Sequence, residues 1–207
     1  DLGKFKEAEI LLRKAIKLKP DLAEAYFNLG NVLNTLRKPE EAKVSLRKAI
    51  ELKPNYAKAH TNLGIILVDH GQLQEAKSSL RKAINIKPDY AIAHYNLGNI
   101  QKDLGELIDS EISLRKAIEI NPDFAEAHSN LGNILNDLGK FQDAELSYRK
   151  AIELNPDFAE AHSNLGTILK DLGNLKDAEL STRKAIKLNP DFAEAHSNLG
   201  TILENLG

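Results

Sequence analysis

The stretch AEAHSNLG at residues 125–132 decides the fold, because close copies of it return every 34 residues. The glycine of the copies keeps that spacing without slippage, at Gly30, Gly64, Gly98, Gly132, Gly166 and Gly200. A fixed period of this length is typical of small structural units, none of which can bury its apolar face alone. The sequence therefore predicts a solenoid in which each unit packs on its neighbours.

Each unit carries two apolar stripes with helical spacing, as residues 125–158 illustrate. The apolar side chains recur mostly three and four residues apart, first at Ala127, Leu131, Ile134, Leu135 and Leu138, then at Phe141, Ala144, Leu146, Tyr148, Ala151, Ile152 and Leu154. Gly139 lies between the stripes, where a left-handed cap would end the first helix. Pro156 ends the second helix, because proline disfavours helical geometry in the residue before it. Each unit is therefore predicted to be a helical hairpin.

This pattern resembles the tetratricopeptide repeat (TPR) family. The residues that carry the resemblance in this unit are His128, Leu131, Gly132, Ala144, Tyr148, Ala151 and Pro156. The resemblance implies an all-α fold, a right-handed superhelical α-solenoid of TPR helical hairpins, as a single array over residues 1–207. The expected boundaries are the second helix of a truncated repeat at 1–22, full repeats at 23–56, 57–90, 91–124, 125–158 and 159–192, and a first helix at 193–207. Since both ends fall inside the pattern, we expect a piece of a longer protein. Arg37 replaces the turn glycine and Pro39 follows, which predicts a different turn there.

One asparagine stands at the same place in every predicted first helix. We call these residues the asparagine ladder: Asn28, Asn62, Asn96, Asn130, Asn164 and Asn198. Helix interiors mildly disfavour asparagine, so its presence in every unit calls for a reason. One interpretation is a structural hydrogen bond between adjacent first helices. The other is ligand binding, because a carboxamide can both donate to and accept from a peptide backbone.

The expected spacing of the ladder suits an extended ligand. Packed helices lie about 8–10 Å apart and an extended chain advances about 3.3–3.6 Å per residue, so one asparagine would meet roughly every third ligand residue. The array is also similar to the TPR arm of O-linked N-acetylglucosamine transferase, which implies that the ladder lines an inner groove and holds peptide backbones. We therefore predict a protein- or peptide-binding scaffold that holds an extended segment in its concave groove.

Two further rows of polar residues are expected to border the ladder. Three residues after it stand Asn31, Asn99 and Asn133, with Thr167 and Thr201 in later units and Ile65 breaking the row. Four residues before it stand Glu24, Glu126, Glu160 and Glu194, with Lys58 and Ile92 in the two middle units. The glutamates have a second interpretation, because Asp123 three residues before Glu126 fits a capping box at the helix start.

Two alternative functions are left open by the sequence. The array would serve equally as the substrate-docking arm of a larger glycosyltransferase or other transferase whose catalytic domain lies outside this chain. It would also serve as a scaffold that stacks head to tail through its ends, because neither end carries the polar capping helix that solenoids usually need.

Composition argues against several other classes of protein. The formal net charge is −2, whereas nucleic-acid binders usually carry a strongly basic face. No apolar run approaches the roughly 18 residues that cross a bilayer, and cysteine is absent. We expect a cytoplasmic protein with no membrane or nucleic-acid partner, no catalytic residue and no cofactor.

A histidine also recurs once per unit, at His60, His94, His128, His162 and His196. Ligands of one zinc ion lie about 2.0–2.1 Å from it, whereas a whole hairpin separates these side chains. We therefore interpret the histidines as packing residues and predict no metal site.

Overall fold

A computed structural model describes residues 2–207, and within that range the chain forms twelve α-helices and no strand. The helices are α1 (Leu2–Leu18), α2 (Ala23–Thr35), α3 (Pro39–Leu52), α4 (Ala57–Asp69), α5 (Leu73–Ile86), α6 (Ala91–Asp103), α7 (Leu107–Ile120), α8 (Ala125–Asp137), α9 (Phe141–Leu154), α10 (Ala159–Asp171), α11 (Leu175–Leu188) and α12 (Ala193–Leu206). The all-α fold built from helical hairpins is confirmed.

The helices belong to two compact units, which divide after Ile100. In the first unit α2 pairs with α3 and α4 with α5, while α1 packs against α2. In the second unit α8 pairs with α9 and α10 with α11, while α12 packs against α11 and α10. Within each unit, therefore, helices that are neighbours in sequence are neighbours in space.

Small residues let the two helices of a hairpin approach closely. A Cβ atom added to Gly132 would lie 2.6 Å from the ring of Tyr148, and one added to Gly30 would lie 2.7 Å from Leu46. Tyr148 is almost fully buried between these helices, and Ala144 and Ala151 are completely buried. The core of these two hairpins thus depends on a glycine in the first helix that faces a large side chain in the second.

The turns inside the hairpins use the predicted left-handed cap. Gly139 has φ +72°, its N–H donates to Asn136 O, and the next N–H, of Lys140, donates to Leu135 O. Arg37 has φ +58°, and the N–H groups of Arg37 and Lys38 donate to Asn34 O and Leu33 O in the same pattern. The prediction of a different turn at Arg37 is therefore wrong, because the surrounding hairpin imposes the left-handed conformation even without glycine.

The capping-box interpretation of the glutamates is also wrong. The residue that precedes α8 is Phe124, and no side chain caps this helix. Phe158 and Phe192 stand in the same position before α10 and α12, again without a side-chain cap. Each of these helices begins one residue later than a cap at the aspartate would require.

Candidate functional site

In the first unit, one member of the asparagine ladder makes a hydrogen bond between neighbouring first helices. Asn62 Nδ2 on α4 donates to Asn31 Oδ1 on α2 over 2.7 Å. Ile65 cannot accept such a bond, and Asn96 Nδ2 instead donates 2.7 Å to Ile92 O in its own helix. Asn28 is exposed and makes no hydrogen bond to a residue that the structure describes. The ladder and the row that follows it therefore form one connected polar surface wherever the second row has an acceptor.

The second unit repeats the arrangement. Asn164 Nδ2 on α10 donates to Asn133 Oδ1 on α8 over 3.0 Å. Asn198 Nδ2 on α12 donates to Thr167 Oγ1 on α10 over 3.0 Å and lies 3.4 Å from Ser163 Oγ. The structural hydrogen bond is thus present, but it uses only the amide nitrogen. No residue among 2–207 donates to Oδ1 of Asn164 or Asn198.

The remaining members of the two rows lie on the same helices at similar depth. Asn130 on α8 is half-buried, as are Asn164 and Asn198, and Asn99 on α6 is half-buried like Asn133. The predicted ladder therefore occupies equivalent positions on α2, α4, α6, α8, α10 and α12.

Tyr148 adds a contact to this surface that the sequence did not reveal. Its hydroxyl donates 2.7 Å to Asn133 Oδ1, so Asn133 accepts one hydrogen bond from the hairpin core and one from Asn164. Burial raises the pKa of Tyr148, and the carboxylates of Asp137 and Glu160 raise it further. The phenol therefore stays protonated and fixes the orientation of the Asn133 amide. An aromatic residue that carries a hydroxyl at this core place, where three other hairpins have leucine, was the available signal.

Two cavities of the second unit open beside the ladder. One of about 320 Å³ is lined by Lys102, Asn133, Asn136, Asp137, Tyr148, Glu160, Asn164 and Thr167. The other, of about 630 Å³, is lined by Phe158, Ala159, Glu160, Ser163, Asn164, Asn189, Phe192, Glu194 and Asn198. Glu160 borders both cavities, Glu194 borders the larger one, and Glu126 is exposed at the equivalent place of α8. None of these three glutamates forms an ion pair with a described residue. Ladder asparagines and the carboxylates of Glu160 and Glu194 thus line the same cavities.

A different pair of cavities lies between consecutive second helices. One of about 440 Å³ is lined in part by Ile118, His128, Leu131 and Leu146. The other, of about 530 Å³, is lined by the residues one repeat later, including Ile152, His162, Leu165 and Leu180. These cavities are more apolar than those beside the ladder, and the ladder asparagines do not reach them.

The recurring histidines tie each first helix to the turn before it. Nε2 of His60, His94, His128, His162 and His196 lies 2.9–3.1 Å from the carbonyl oxygen of the proline six residues earlier. Burial lowers the pKa of His60 and His162, against the opposing effect of these carbonyl groups. Residues 2–207 contain no group of three or more metal-ligating side chains placed to share an ion.

The basic residues of the second helices are largely paired within their own helix. Arg115, Arg149 and Arg183 bind the glutamate four residues earlier, at 2.7–2.9 Å. Lys48, Lys116 and Lys150 bind the glutamate three residues later, at 2.6–2.7 Å. No helix among the described residues is long and apolar enough to cross a membrane.

Comparison with known proteins identifies the family. A family model described as TPR repeat matches residues 1–36, 66–105 and 132–173. Models described as tetratricopeptide repeat match residues 23–56 and 159–192, 45–78 and 113–145, and 91–124. The chain belongs to the tetratricopeptide repeat family. A search of the curated proteins found no match to it.

Several solved TPR structures are similar to this TPR chain. YrrB, described as a TPR protein with an unusual peptide-binding site, is 27% identical, with a TM-score of 0.74 over 90% of this chain and 96% of YrrB. MamA is 25% identical, with a TM-score of 0.73 over 80% of this chain and 97% of MamA. PilF of Pseudomonas aeruginosa has a TM-score of 0.86 over 96% of this chain and 90% of PilF, but at 20% identity it supports the fold alone.

Proposed function

We propose that this TPR array is a scaffold that holds a protein or peptide segment in extended conformation along its first-helix surface. The observation that carries the proposal is that the ladder amides use only part of their hydrogen-bonding capacity within the chain. Asn164 Nδ2 donates to Asn133 of the neighbouring repeat, and Asn198 Nδ2 donates to Thr167 and Ser163, which fixes both side chains. Oδ1 of each residue accepts no hydrogen bond from a described residue, and Asn164 lines both cavities beside the ladder while Asn198 lines the larger one. The free Oδ1 acceptors, together with the second N–H of Asn164, match the donors and acceptors of a peptide backbone.

Pre-orientation is what makes this surface suited to binding. A free asparagine loses rotamer freedom when it binds a ligand, whereas an asparagine already held by its neighbour has lost that freedom on folding. Tyr148 extends the effect, because it holds Asn133, which in turn holds Asn164. The inter-repeat bonds and the proposed binding role are therefore compatible, and the first supports the second.

The direct test measures backbone recognition. Peptides of about twelve residues, long enough to span four ladder positions, would be selected from a random library for binding to the array. We expect that replacing Asn130, Asn164 and Asn198 by alanine weakens binding at least about tenfold, since each lost hydrogen bond is worth roughly 0.5–1.5 kcal/mol. N-methylation of alternate ligand residues should weaken binding to the unchanged array in the same way.

The control separates binding from folding, because the alanine variant also loses inter-repeat bonds. Replacing the acceptors Asn133 and Thr167 by alanine removes the bonds that Asn164 and Asn198 make to them, keeps the 3.4 Å bond from Asn198 to Ser163, and leaves the ladder amides in place. We expect this control to lose stability similarly and to keep more of its affinity. Unchanged affinity in the triple variant, measured by calorimetry, would remove the backbone-binding role of the ladder.

A further inference from the structure

The first full repeat contains a site for a positive charge that the chain fills with its own lysine. Lys53 Nζ lies 3.3 Å from Glu24 Oε1 and 4.7 Å from the centroid of the Tyr56 ring. The ring of Phe27 packs on that of Tyr56, with 4.8 Å between the centroids. An ammonium group is thus held between a carboxylate and an aromatic face, and a second aromatic ring fills the space beside it.

Four repeats later, the equivalent site has no lysine. The places of Glu24 and Tyr56 are taken by Glu160 and Phe192, which conserve the carboxylate and the aromatic ring. The place of Lys53 is taken by Asn189, and that of Phe27 by Ser163. Both changes replace a long side chain by a short one.

The four equivalent residues, Glu160, Ser163, Asn189 and Phe192, all line the cavity of about 630 Å³ beside the ladder. The cavity therefore lies where, in the first repeat, Lys53 and Phe27 fill the space. Glu160 and Glu194 border it without an ion pair to any described residue. An aromatic face attracts a cation within about 6 Å of its centroid, and a carboxylate reinforces that attraction. The cavity therefore suits an ammonium group, which in the first repeat is supplied by Lys53 of the chain itself.

We propose that this cavity binds a lysine side chain of the extended partner, with the ammonium between the Glu160 carboxylate and the Phe192 ring. This inference rests on the proposed function, because Asn164 and Asn198 line the same cavity and would hold the partner's backbone beside it. The ladder accepts any sequence, whereas the cavity selects a position that carries a positive charge. Selectivity of the array for its partner thus comes from the C-terminal repeats.

The experiment compares two peptides that differ only in charge. A peptide of about twelve residues selected on the array, with one lysine at its centre, is measured against the same peptide with that lysine acetylated. We expect the acetylated peptide to bind about fivefold to tenfold more weakly, as the sum of one exposed ion pair and one cation–π contact. Raising the salt concentration should reduce the difference, because exposed charges are screened.

A variant that refills the cavity locates the effect. Asn189→Lys recreates the arrangement of Lys53 in the first repeat, so it should fold normally and bind both peptides with the weaker affinity. Gln142→Lys is the matched control, since it adds the same charge at an exposed place where the next repeat has Lys176. The control should keep the preference for the unmodified lysine.

The outcomes separate this inference from the proposed function. If the unchanged array binds both peptides equally, and the triple alanine variant of the ladder weakens both, the lysine site is wrong and the groove stands. If Asn189→Lys keeps the preference, the lysine binds elsewhere and the assignment to this cavity is wrong. If the triple alanine variant binds the lysine peptide as tightly as the unchanged array, the ladder does not bind the partner's backbone. The lysine site, which rests on that role, is then wrong as well.

Discussion

Arg37 has a left-handed backbone conformation that Gly71, Gly105, Gly139 and Gly173 adopt at the equivalent turns. A residue with a Cβ atom costs about 1–2 kcal/mol there, and the hairpin of α2 and α3 imposes that cost on arginine. Replacing Arg37 by glycine removes this conformational cost. It also increases the entropy of the unfolded chain, which lowers the stability by about 0.5–1 kcal/mol. The residue is thus a local weak point of the first unit.

We expect Arg37→Gly to raise the free energy of unfolding by about 0.5–1 kcal/mol. Urea unfolding followed by circular dichroism measures the change. Gly173→Ala is the reverse control and should destabilise the chain, although its added Cβ meets nothing within 4 Å. Equal stability of Arg37→Gly and the unchanged chain would mean that the turn stores no strain.

The histidines predict how stability depends on pH. Burial lowers the pKa of His60 and His162 from the ordinary value of 6.5, so the unfolded chain binds protons more readily than the folded one. The stability contributed by the neutral imidazoles is therefore complete above pH 6.5 and is lost as the pH falls through their folded pKa values. Glu9 and Glu111, whose pKa values are lowered, lose their contribution in the same direction at lower pH.

We expect the melting temperature to fall between about pH 7.5 and about pH 5.5, and to fall less when His60 and His162 are both replaced by glutamine. Glutamine retains an N–H donor for the proline carbonyl but does not titrate. Calorimetry at the two pH values gives the comparison. If the double variant shows the same decrease, other groups control the acid response.

At the scale of the helix, pairing within a hairpin depends on what faces the glycine of the first helix. Gly132 lies against the ring of Tyr148, whereas Gly200 on α12 meets no atom within 4 Å of an added Cβ. The two residues occupy equivalent places in identical helical contexts from Ala127 to Gly132 and from Ala195 to Gly200. They therefore form a matched pair that separates packing from helix propensity.

Gly132→Ala is expected to destabilise the chain by about 1–3 kcal/mol, because the new methyl group has no room beside Tyr148. Gly200→Ala should instead stabilise α12 by up to about 1 kcal/mol, because alanine is the better helix former. Thermal unfolding of the two variants measures both effects. A similar change of the same sign in both would contradict the close approach of α8 and α9.

At the scale of the whole molecule, the regular period makes one repeat removable. Deleting residues 125–158 joins Phe124 to Ala159, and the sequence after the junction again reads AEAHSNLG. Because stability in repeat arrays is approximately a sum over units and their neighbours, the shortened chain should fold. A deletion that ignores the period would instead bring unlike positions of the repeat together.

We expect the shortened chain to keep the same helix content per residue, with a lower unfolding midpoint and an m-value smaller by about a sixth, in proportion to the surface buried. A deletion of residues 125–152, which is six residues short of the period, is the control and should lose cooperative unfolding. Circular dichroism during urea titration distinguishes them. Loss of folding in both chains would show that the repeats are not interchangeable.

Particular residues show which features of the structure could be predicted from the sequence. The period, together with Gly139 and Pro156, predicted the helical hairpins, because turn and cap signals act over a few residues. The sequence failed at Arg37 and at the supposed capping boxes, where packing of the hairpin overrides the local preference. The hydrogen bond from Asn62 to Asn31 was only one of the two interpretations that the sequence offered for the ladder. The binding role of the ladder stays a prediction.

By itself the sequence determined that this protein is a TPR array, because a strict 34-residue period repeats every local signal and leaves each hairpin dependent on its neighbour. Only the tertiary structure decided which ladder amides form hydrogen bonds between repeats and which do not. It also showed that Lys53 contacts Glu24 and Tyr56 and that Asn189, at the equivalent place four repeats later, lines a cavity. Such contacts join residues about 30 positions apart, and their distances follow from how hairpins stack, which no local pattern specifies.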